Sequence, residues 1–167
     1  YDSVRDNYLK MIQMAEHHIY LQTPYFIPDQ AILDSLKIAA KSGVDVRIMI
    51  PCKPDHPFVY WATYSYLGEM AAAGAKCTYQ NGFLHAKTLT IDGLVSCVGT
   101  ANMDIRSFQL NFEVNATIYS ERTSQKLRDA FENDMLHCQE VTEESYRQRG
   151  LSIRIREQIS RLFSPLL

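Results

Sequence analysis

Hydrophobic and polar residues alternate along the chain with periods that change several times, and each change predicts a different element. Over residues 4–16 apolar residues recur three and four positions apart, which predicts an amphipathic helix. Residues 18–22 form a short run rich in β-favouring residues, and the prolines of "TPYFIPD" predict a loop after it. Asp29 then suits the N-cap of a second helix, which runs through Lys41 and is closed by Gly43.

The middle of the chain alternates between strands and helices. "VDVRIMI" (residues 44–50) predicts a strand, and "PCKPDHP" predicts a rigid loop. A helix over residues 58–73, ended by Gly74, and a short strand "AKCTYQ" follow. "LHAKTLTI" and "LVSCVGT" are β-rich runs separated by Asp92 and Gly93. Because both of these residues tolerate positive φ, the pair predicts a tight hairpin.

The last third adds one strand and two helices. "QLNFEVNATIY" (residues 109–119) predicts a strand, and Ser120 suits the cap of a long helix through Glu140. A terminal helix follows over residues 151–167. The order αβαβαβββα and a terminal helix predict an α/β fold, with a mixed β-sheet flanked by helices on both faces.

Composition narrows the class of protein. The chain has 167 residues, of which 46% are hydrophobic and 22% charged, which is ordinary for one soluble domain. No apolar run approaches the roughly 18 residues of a membrane span. The cysteines are far apart and form no C-x-x-C pair, which favours free thiols over a zinc cluster: Cys52, Cys77, Cys97 and Cys138. No carboxylate cluster suits magnesium or calcium, so we expect no metal and no other cofactor.

The net charge of −2 is distributed unevenly. From residue 146 onward five arginines accompany one glutamate, so this tail carries +4 and the rest of the chain −6. An acidic body is a poor general surface for nucleic acid, which needs lysines and arginines to neutralise phosphates, so we expect no nucleic-acid partner. The tail also places apolar residues at helical spacing between the arginines. It therefore suits an anionic membrane surface or, alternatively, a missing part of the protein on which the helix docks.

His85 and Lys87 are the residues that a hydrophobic core does not explain. They lie two positions apart in "FLHAKTLTIDG", and on a strand that spacing places both side chains on one face. An imidazole and an ammonium disfavour each other's charge, which suits a site that binds and attacks an anion. Neutral imidazole is a competent nucleophile toward a phosphodiester, and the lysine neutralises phosphate oxygens.

Further candidate residues follow His85 at short spacing. Asn102, together with backbone amides near Gly99 and Thr100, is expected to hold the remaining phosphate oxygens. Glu113 lies between apolar neighbours in "NFEVN", where a charged residue is unusual in a strand unless it has a function. We expect its carboxylate to bind the second ring nitrogen of His85, which fixes the tautomer and stabilises the charged intermediate.

Asp92 and Asp104 have structural explanations. Asp92 lies in the predicted turn, out of strand register with His85, and we expect it to hold that turn through Asx-type hydrogen bonds. Asp104 and Arg106 are expected to begin a short helix, with a surface salt bridge as the simplest account of both charges.

The spacing H-x-K-x4-D, followed by Gly99, Thr100 and Asn102 and then by Glu113, resembles the HKD motif of the phospholipase D superfamily. The flanking "LQTPYFIPD", "KPDHPFVYWA" and "SRLFSPLL" are similar to the C-terminal half of the bacterial cardiolipin synthases in that superfamily. The resemblance implies a catalytic half-domain over residues 1–150, followed by an amphipathic helix over 151–167. It also includes Asp92 in the motif without assigning it a proton.

One H-x-K supplies only half of a site, because in-line displacement needs a nucleophile on one side and a proton donor on the other. His56 has no lysine two positions on. The resemblance implies that a second HKD half pairs with this one, upstream in the native chain or across a homodimer. Because the chain opens with Tyr1 rather than Met, we expect it to derive from a longer protein.

The resemblance implies a phosphatidyltransferase that makes cardiolipin from two phosphatidylglycerols with release of glycerol, through a phosphohistidine. It places the full-length enzyme at the bacterial cell membrane, with a peripheral catalytic domain and a soluble fragment. The aromatic stretches "TPYFIP" and "HPFVYWATYSYL" either line a lipid trough or pack in the core. The alternatives are a phospholipase D-type hydrolase, a nuclease, and a catalytically idle half that pairs with a partner.

Overall fold

The computed structural model describes residues 3–52, 57–80 and 82–163. The helices are α1 Ser3–Gln13, α2 Gln30–Lys41, α3 Pro57–Ala72, α4 Ile105–Gln109, α5 Glu121–Met135, α6 Glu143–Arg147 and α7 Leu151–Phe163. The strands are β1 His18–Gln22, β2 Phe26–Ile27, β3 Asp45–Pro51, β4 Lys76–Gln80, β5 Thr88–Ile91, β6 Val95–Gly99, β7 Met103–Asp104, β8 Asn115–Tyr119 and β9 Cys138–Val141. The predicted proline-rich loop with His56, and Leu166 of the tail, fall in positions outside these ranges.

Seven strands form one mixed sheet in the order β8-β6-β5-β1-β3-β4-β9. β1, β3 and β4 are parallel, while β5, β6, β8 and β9 each run antiparallel to a neighbour. The carboxyl ends of β1, β3 and β4 therefore lie beside the start of β5, the end of β6 and the start of β8. We call this side of the sheet the C-terminal edge; Gln22, Thr88, Gly99 and Asn115 mark it. Strands β2 and β7 form a small separate pair.

Alternation along the strands divides the apolar residues between two layers. Ile19 and Leu21 of β1 belong to the larger core, which contains residues of α1, α2 and α3. Tyr20 points to the opposite face and stacks on Phe131 of α5, with ring centroids 4.8 Å apart. The prediction of a mixed sheet with helices on both faces is confirmed.

Local signals fixed several boundaries correctly. Asp29 is the N-cap of α2 and accepts a hydrogen bond from the amide of Ile32, and Ser120 caps α5. Asp92 and Gly93 have φ values of 55° and 65°, which are the positive angles that the predicted two-residue hairpin requires. All four cysteines are free, and Cys77 and Cys97 are buried.

Three predicted elements have different bounds, and in each case the pairing of neighbouring strands in the sheet accounts for the difference. The strand expected to include His85 begins only at Thr88, where β1 ends and its pairing with β5 ends too. The strand expected over residues 109–119 begins at Asn115, because β6 ends at Gly99 and offers no earlier partner. The helix expected through Glu140 ends at Met135, and the residues beyond it pair with the open side of β4 as β9.

The predicted terminal helix is α7, and together with α6 it packs on α3. A Cβ atom added to Gly68 of α3 would lie 2.0 Å from the ring of Tyr146 in α6, so only glycine allows this close approach. Within the described ranges, no helix combines the length and the apolar character needed to cross a bilayer.

Candidate active site

His85 lies at the C-terminal edge, in the segment that leads into β5. Its side chain is exposed, and its ring stacks on the exposed ring of Phe83 with centroids 5.7 Å apart. Residues 83–87 are not a strand, so the two-residue spacing does not by itself orient the side chains. The Lys87 Nζ instead donates a hydrogen bond of 2.8 Å to the carbonyl oxygen of His85. The ammonium is thus held beside the main chain of the histidine.

The backbone amides of Gly99 and Thr100 both form hydrogen bonds within the fold. The Gly99 amide donates to the Lys87 carbonyl at 3.2 Å, and the Thr100 amide donates to the Val114 carbonyl at 3.0 Å. Both amides thus have partners within the fold, and the predicted role of the backbone near Gly99 and Thr100 in holding phosphate oxygens stays a prediction. Gly99 has a steric role instead, because a Cβ there would lie 2.0 Å from Oδ1 of Asn115.

Glu113 lies in the loop between α4 and β8 rather than on a strand. Its carboxylate accepts hydrogen bonds from the Thr100 hydroxyl and, at 3.1 Å, from Nδ2 of Asn111. Within the described part of the chain, no hydrogen bond joins Glu113 to the His85 ring. The carboxylate links the loop after β6 to the loop before β8, and the expected His85–Glu113 contact is not formed here.

Asn102 and Asp104 form a partly buried polar pair after β6. Asp104 is the N-cap of α4 and accepts a 2.6 Å hydrogen bond from the Ser107 amide. Burial raises the pKa of Asp104, while hydrogen bonds from Ser107 and the Asn102 side chain partly oppose this rise. The short helix is confirmed, and Asp104 is buried rather than at the surface. Oδ1 of Asn102 is buried without a partner among the described residues.

Asp92 lies at the opposite end of the β5–β6 hairpin from His85. Its carboxylate accepts hydrogen bonds of 2.7–2.9 Å from the backbone amides of Glu16, His17 and His18. Burial acts to raise the pKa of Asp92, but these three amides outweigh it and lower that pKa. Asp92 thus has structural contacts, but its carboxylate holds the start of β1 and not the turn through the Asx-type hydrogen bonds that were expected.

Sequence reasoning missed two side chains that support the C-terminal edge. Oε1 of Gln22, at the end of β1, accepts a 3.0 Å hydrogen bond from the Thr88 hydroxyl, and Nε2 of Gln22 donates to Asp134. Asn115 donates at 2.8 Å to the hydroxyl of Tyr8, whose pKa is raised by burial. The sequence signal was an amide side chain at one end of a β-rich run: Gln22 is the last residue of β1, and Asn115 is the first residue of β8.

The aromatic stretches serve two purposes. Phe26 and Ile27, from "TPYFIP", are buried in the core, so the trough hypothesis is wrong for them. In "HPFVYWATYSYL", Val59 and Leu67 are buried while Phe58 is exposed and Trp61 is half-buried at the surface. The start of α3 therefore presents aromatic surface.

The chain matches known proteins over most of its length. The model of the family described as "Cardiolipin synthase, PLD-like domain" matches residues 8–135. The chain belongs to this family. It is 56% identical to a cardiolipin synthase of Listeria welshimeri over 168 aligned residues, which cover all of this chain and 35% of that protein. The chain thus spans about a third of the length of such curated relatives.

Solved structures share the fold at lower identity. The phospholipase D family member Nuc from Salmonella typhimurium superposes with a TM-score of 0.71 at 21% identity, covering 83% of this chain and 90% of that one. Phosphatidylserine synthase from Haemophilus influenzae superposes with a TM-score of 0.76 at 14% identity, covering 98% of this chain and 45% of that one. These likenesses confirm the phospholipase D-type fold for this member of the cardiolipin synthase domain family.

Proposed function

We propose that the chain is one catalytic half of a phosphatidyltransferase that makes cardiolipin from two phosphatidylglycerols and releases glycerol. The observation that carries the proposal is an exposed histidine with a lysine ammonium at its main chain, in a chain 56% identical to a cardiolipin synthase. Because the chain spans 35% of that relative, a second half is proposed to complete the site.

The first step is displacement at phosphorus. A ring nitrogen of neutral His85 attacks the phosphodiester, a P–N bond forms, and the bond between phosphorus and the headgroup glycerol breaks. The leaving glycerol oxygen takes a proton from the histidine of the second half. The exposure of His85 at the open C-terminal edge supports this role, because a lipid phosphate has free access to the ring.

The second step reverses the roles of attacking and leaving groups. A headgroup hydroxyl of another phosphatidylglycerol attacks the phosphohistidine, its proton passes to the second histidine, and the P–N bond breaks. The product is cardiolipin, and His85 is returned neutral. If the second half supplies the nucleophile, His85 performs the proton transfers instead, and the overall balance is unchanged.

Neighbouring groups have roles that follow from their contacts. Lys87 is proposed to stabilise the charge on the phosphate oxygens. Asn102, in the loop after β6, is proposed to bind substrate. Glu113 and Thr100 are proposed to position the loops around the phosphate and, once substrate closes the site, to bring the carboxylate to the His85 ring.

The test uses the full-length enzyme in membranes that contain phosphatidylglycerol labelled in its headgroup and at phosphorus. Wild type is compared with His85→Ala, and His137→Ala serves as the control because His137 is equally exposed but lies beyond α5. We expect cardiolipin and free glycerol from wild type and the control, and a loss of at least about 10³-fold in His85→Ala. Acid-sensitive label trapped on His85 identifies it as the nucleophile.

Each alternative has its own outcome in this assay. Phosphatidic acid in place of cardiolipin indicates a hydrolase, and cleavage of added DNA indicates a nuclease. Undiminished cardiolipin from His85→Ala means that this half is a scaffold and contradicts the proposal.

A further inference from the structure

Helix α7 is attached to the domain in an unusual orientation. Its polar residues Glu157 and Ser160 are 0% and 1% exposed against the domain. Four of its apolar residues face outward with exposures of 48–77%, and we call them the α7 stripe: Leu151, Ile155, Ile159 and Leu162. An amphipathic helix that docks on its own domain normally buries its apolar side. The apolar side of α7 therefore lacks a partner within the described domain.

Ion pairs hold the helix in this orientation. Arg149 donates to both carboxylate oxygens of the buried Glu157, at 3.0 and 2.8 Å, and its guanidinium lies 3.4 Å from the centre of the Tyr146 ring. Arg161 donates at 2.6 Å to Glu69 of α3. Turning the stripe inward would carry Glu157 to the surface and break both of these pairs. The outward stripe is thus a fixed feature of the fold.

A cavity adjoins the stripe where α7 crosses the start of α3. It measures about 260 Å³ and is lined by Phe58, Trp61, Ile159, Ser160 and Arg156. The Arg156 guanidinium lies 5.7 Å from the centre of the Trp61 ring. Aromatic rings beside an apolar space, with a cation at the rim, suit the boundary between lipid tails and headgroups.

The charges around the stripe are positive. Arg154 and Arg156 are both exposed, and neither forms an ion pair with any residue in the described ranges. The one acid on α7, Glu157, is neutralised by Arg149 inside the domain. From these observations we propose that the α7 stripe and the adjoining cavity bind the surface of an anionic phospholipid bilayer, with lipid tails against the apolar residues and phosphates at the two arginines.

The α7 stripe and the adjoining cavity lie beside the start of α3, which connects lipid binding to the proposed catalytic site. Helix α3 follows β3, whose carboxyl end lies at the C-terminal edge that also carries His85. Docking through the start of α3 and through α7 would hold that edge near the plane of the lipid phosphates. This purpose rests on the proposed function, whereas the binding itself does not require turnover.

Trp61 is the single tryptophan of the chain and reports directly on the cavity. The experiment mixes the full 167-residue chain with vesicles of phosphatidylglycerol or of phosphatidylcholine and records tryptophan emission. We expect a shift to shorter wavelength, and quenching by brominated acyl chains, with phosphatidylglycerol only. We expect Ile155→Ser with Ile159→Ser to weaken vesicle binding at least about tenfold.

The controls separate lipid binding from misfolding and from catalysis. Arg154→Gln with Arg156→Gln should remove the preference for the anionic lipid. Ile38→Ser, which changes an isoleucine on α2 that is 64% exposed, should bind as wild type. Because His85→Ala should also bind as wild type, failure of the proposed chemistry leaves this result intact. The proposal is overturned if phosphatidylglycerol leaves the emission unchanged, if the stripe and Ile38 variants bind equally, or if the shift follows protein concentration without lipid, which indicates a second copy.

Discussion

The two ends of the β5–β6 hairpin carry residues of one sequence motif in opposite circumstances. At the turn, the carboxylate of Asp92 accepts three backbone hydrogen bonds and has a lowered pKa. At the C-terminal edge, the His85 ring is exposed and stacks on the exposed ring of Phe83.

This difference shows that residues of one sequence motif can have different roles. A polar group whose hydrogen bonds are all satisfied inside the protein contributes to stability. A group left accessible at an edge retains its capacity for a ligand, at some cost to local order. We therefore expect substitution of the exposed polar groups at the C-terminal edge to reduce activity, and substitution of Asp92 at the turn to reduce stability.

The largest expected effect in this comparison, after loss of His85, is at Lys87. Lys87→Gln removes the charge proposed to stabilise the phosphate oxygens, so we expect a fall of about 10²–10³-fold in kcat for cardiolipin formation. Lys126→Gln, an exposed lysine on α5, is the matched control and should retain full activity. An unchanged kcat in Lys87→Gln would show that the lysine has no role in the chemical step.

The next effect tests whether the C-terminal edge is rigid beneath its exposed groups. Gly99→Ala places a methyl group 2.0 Å from Oδ1 of Asn115, so we expect a loss of about 2 kcal/mol in the free energy of unfolding. Chemical denaturation measures it. Gly150→Ala, whose new Cβ would have no neighbour nearer than 4.0 Å, should change stability by less than about 0.5 kcal/mol. If Gly99→Ala and Gly150→Ala are equally stable, the C-terminal edge accommodates the added methyl group, and the prediction is wrong.

The smallest effect is expected at the turn. Asp92→Asn retains a residue that tolerates φ of 55° but removes the charge that three amides face, so we expect a loss of about 1 kcal/mol at pH 7. Because the pKa of Asp92 is lowered on folding, its contribution is full above the ordinary carboxyl pKa and is lost as pH falls through the folded pKa.

The stability difference between wild type and Asp92→Asn should therefore narrow below about pH 4. Denaturation curves at several pH values measure this difference. Asp129→Asn, which removes only an exposed ion pair with Arg128, should show little loss at any pH. A constant difference down to acid pH would contradict the role assigned to the Asp92 charge.

The sequence by itself determined the elements whose signals are local. The N-caps Asp29 and Ser120, the Asp92-Gly93 turn and the β-rich run of β1 are signals that act within a few residues. The same local spacing identified His85 and Lys87, because no core arrangement needs an imidazole beside an ammonium.

Tertiary structure decided the features that depend on where a neighbouring strand or helix ends. Thr88 and Asn115 begin their strands only where partners exist, which placed His85 and Glu113 in loops and committed the amides of Gly99 and Thr100 to backbone pairing. The outward face of α7 was decided in the same way. Periodicity reports that a helix has two sides, but the pairing of Glu157 with Arg149 determined which side meets the domain.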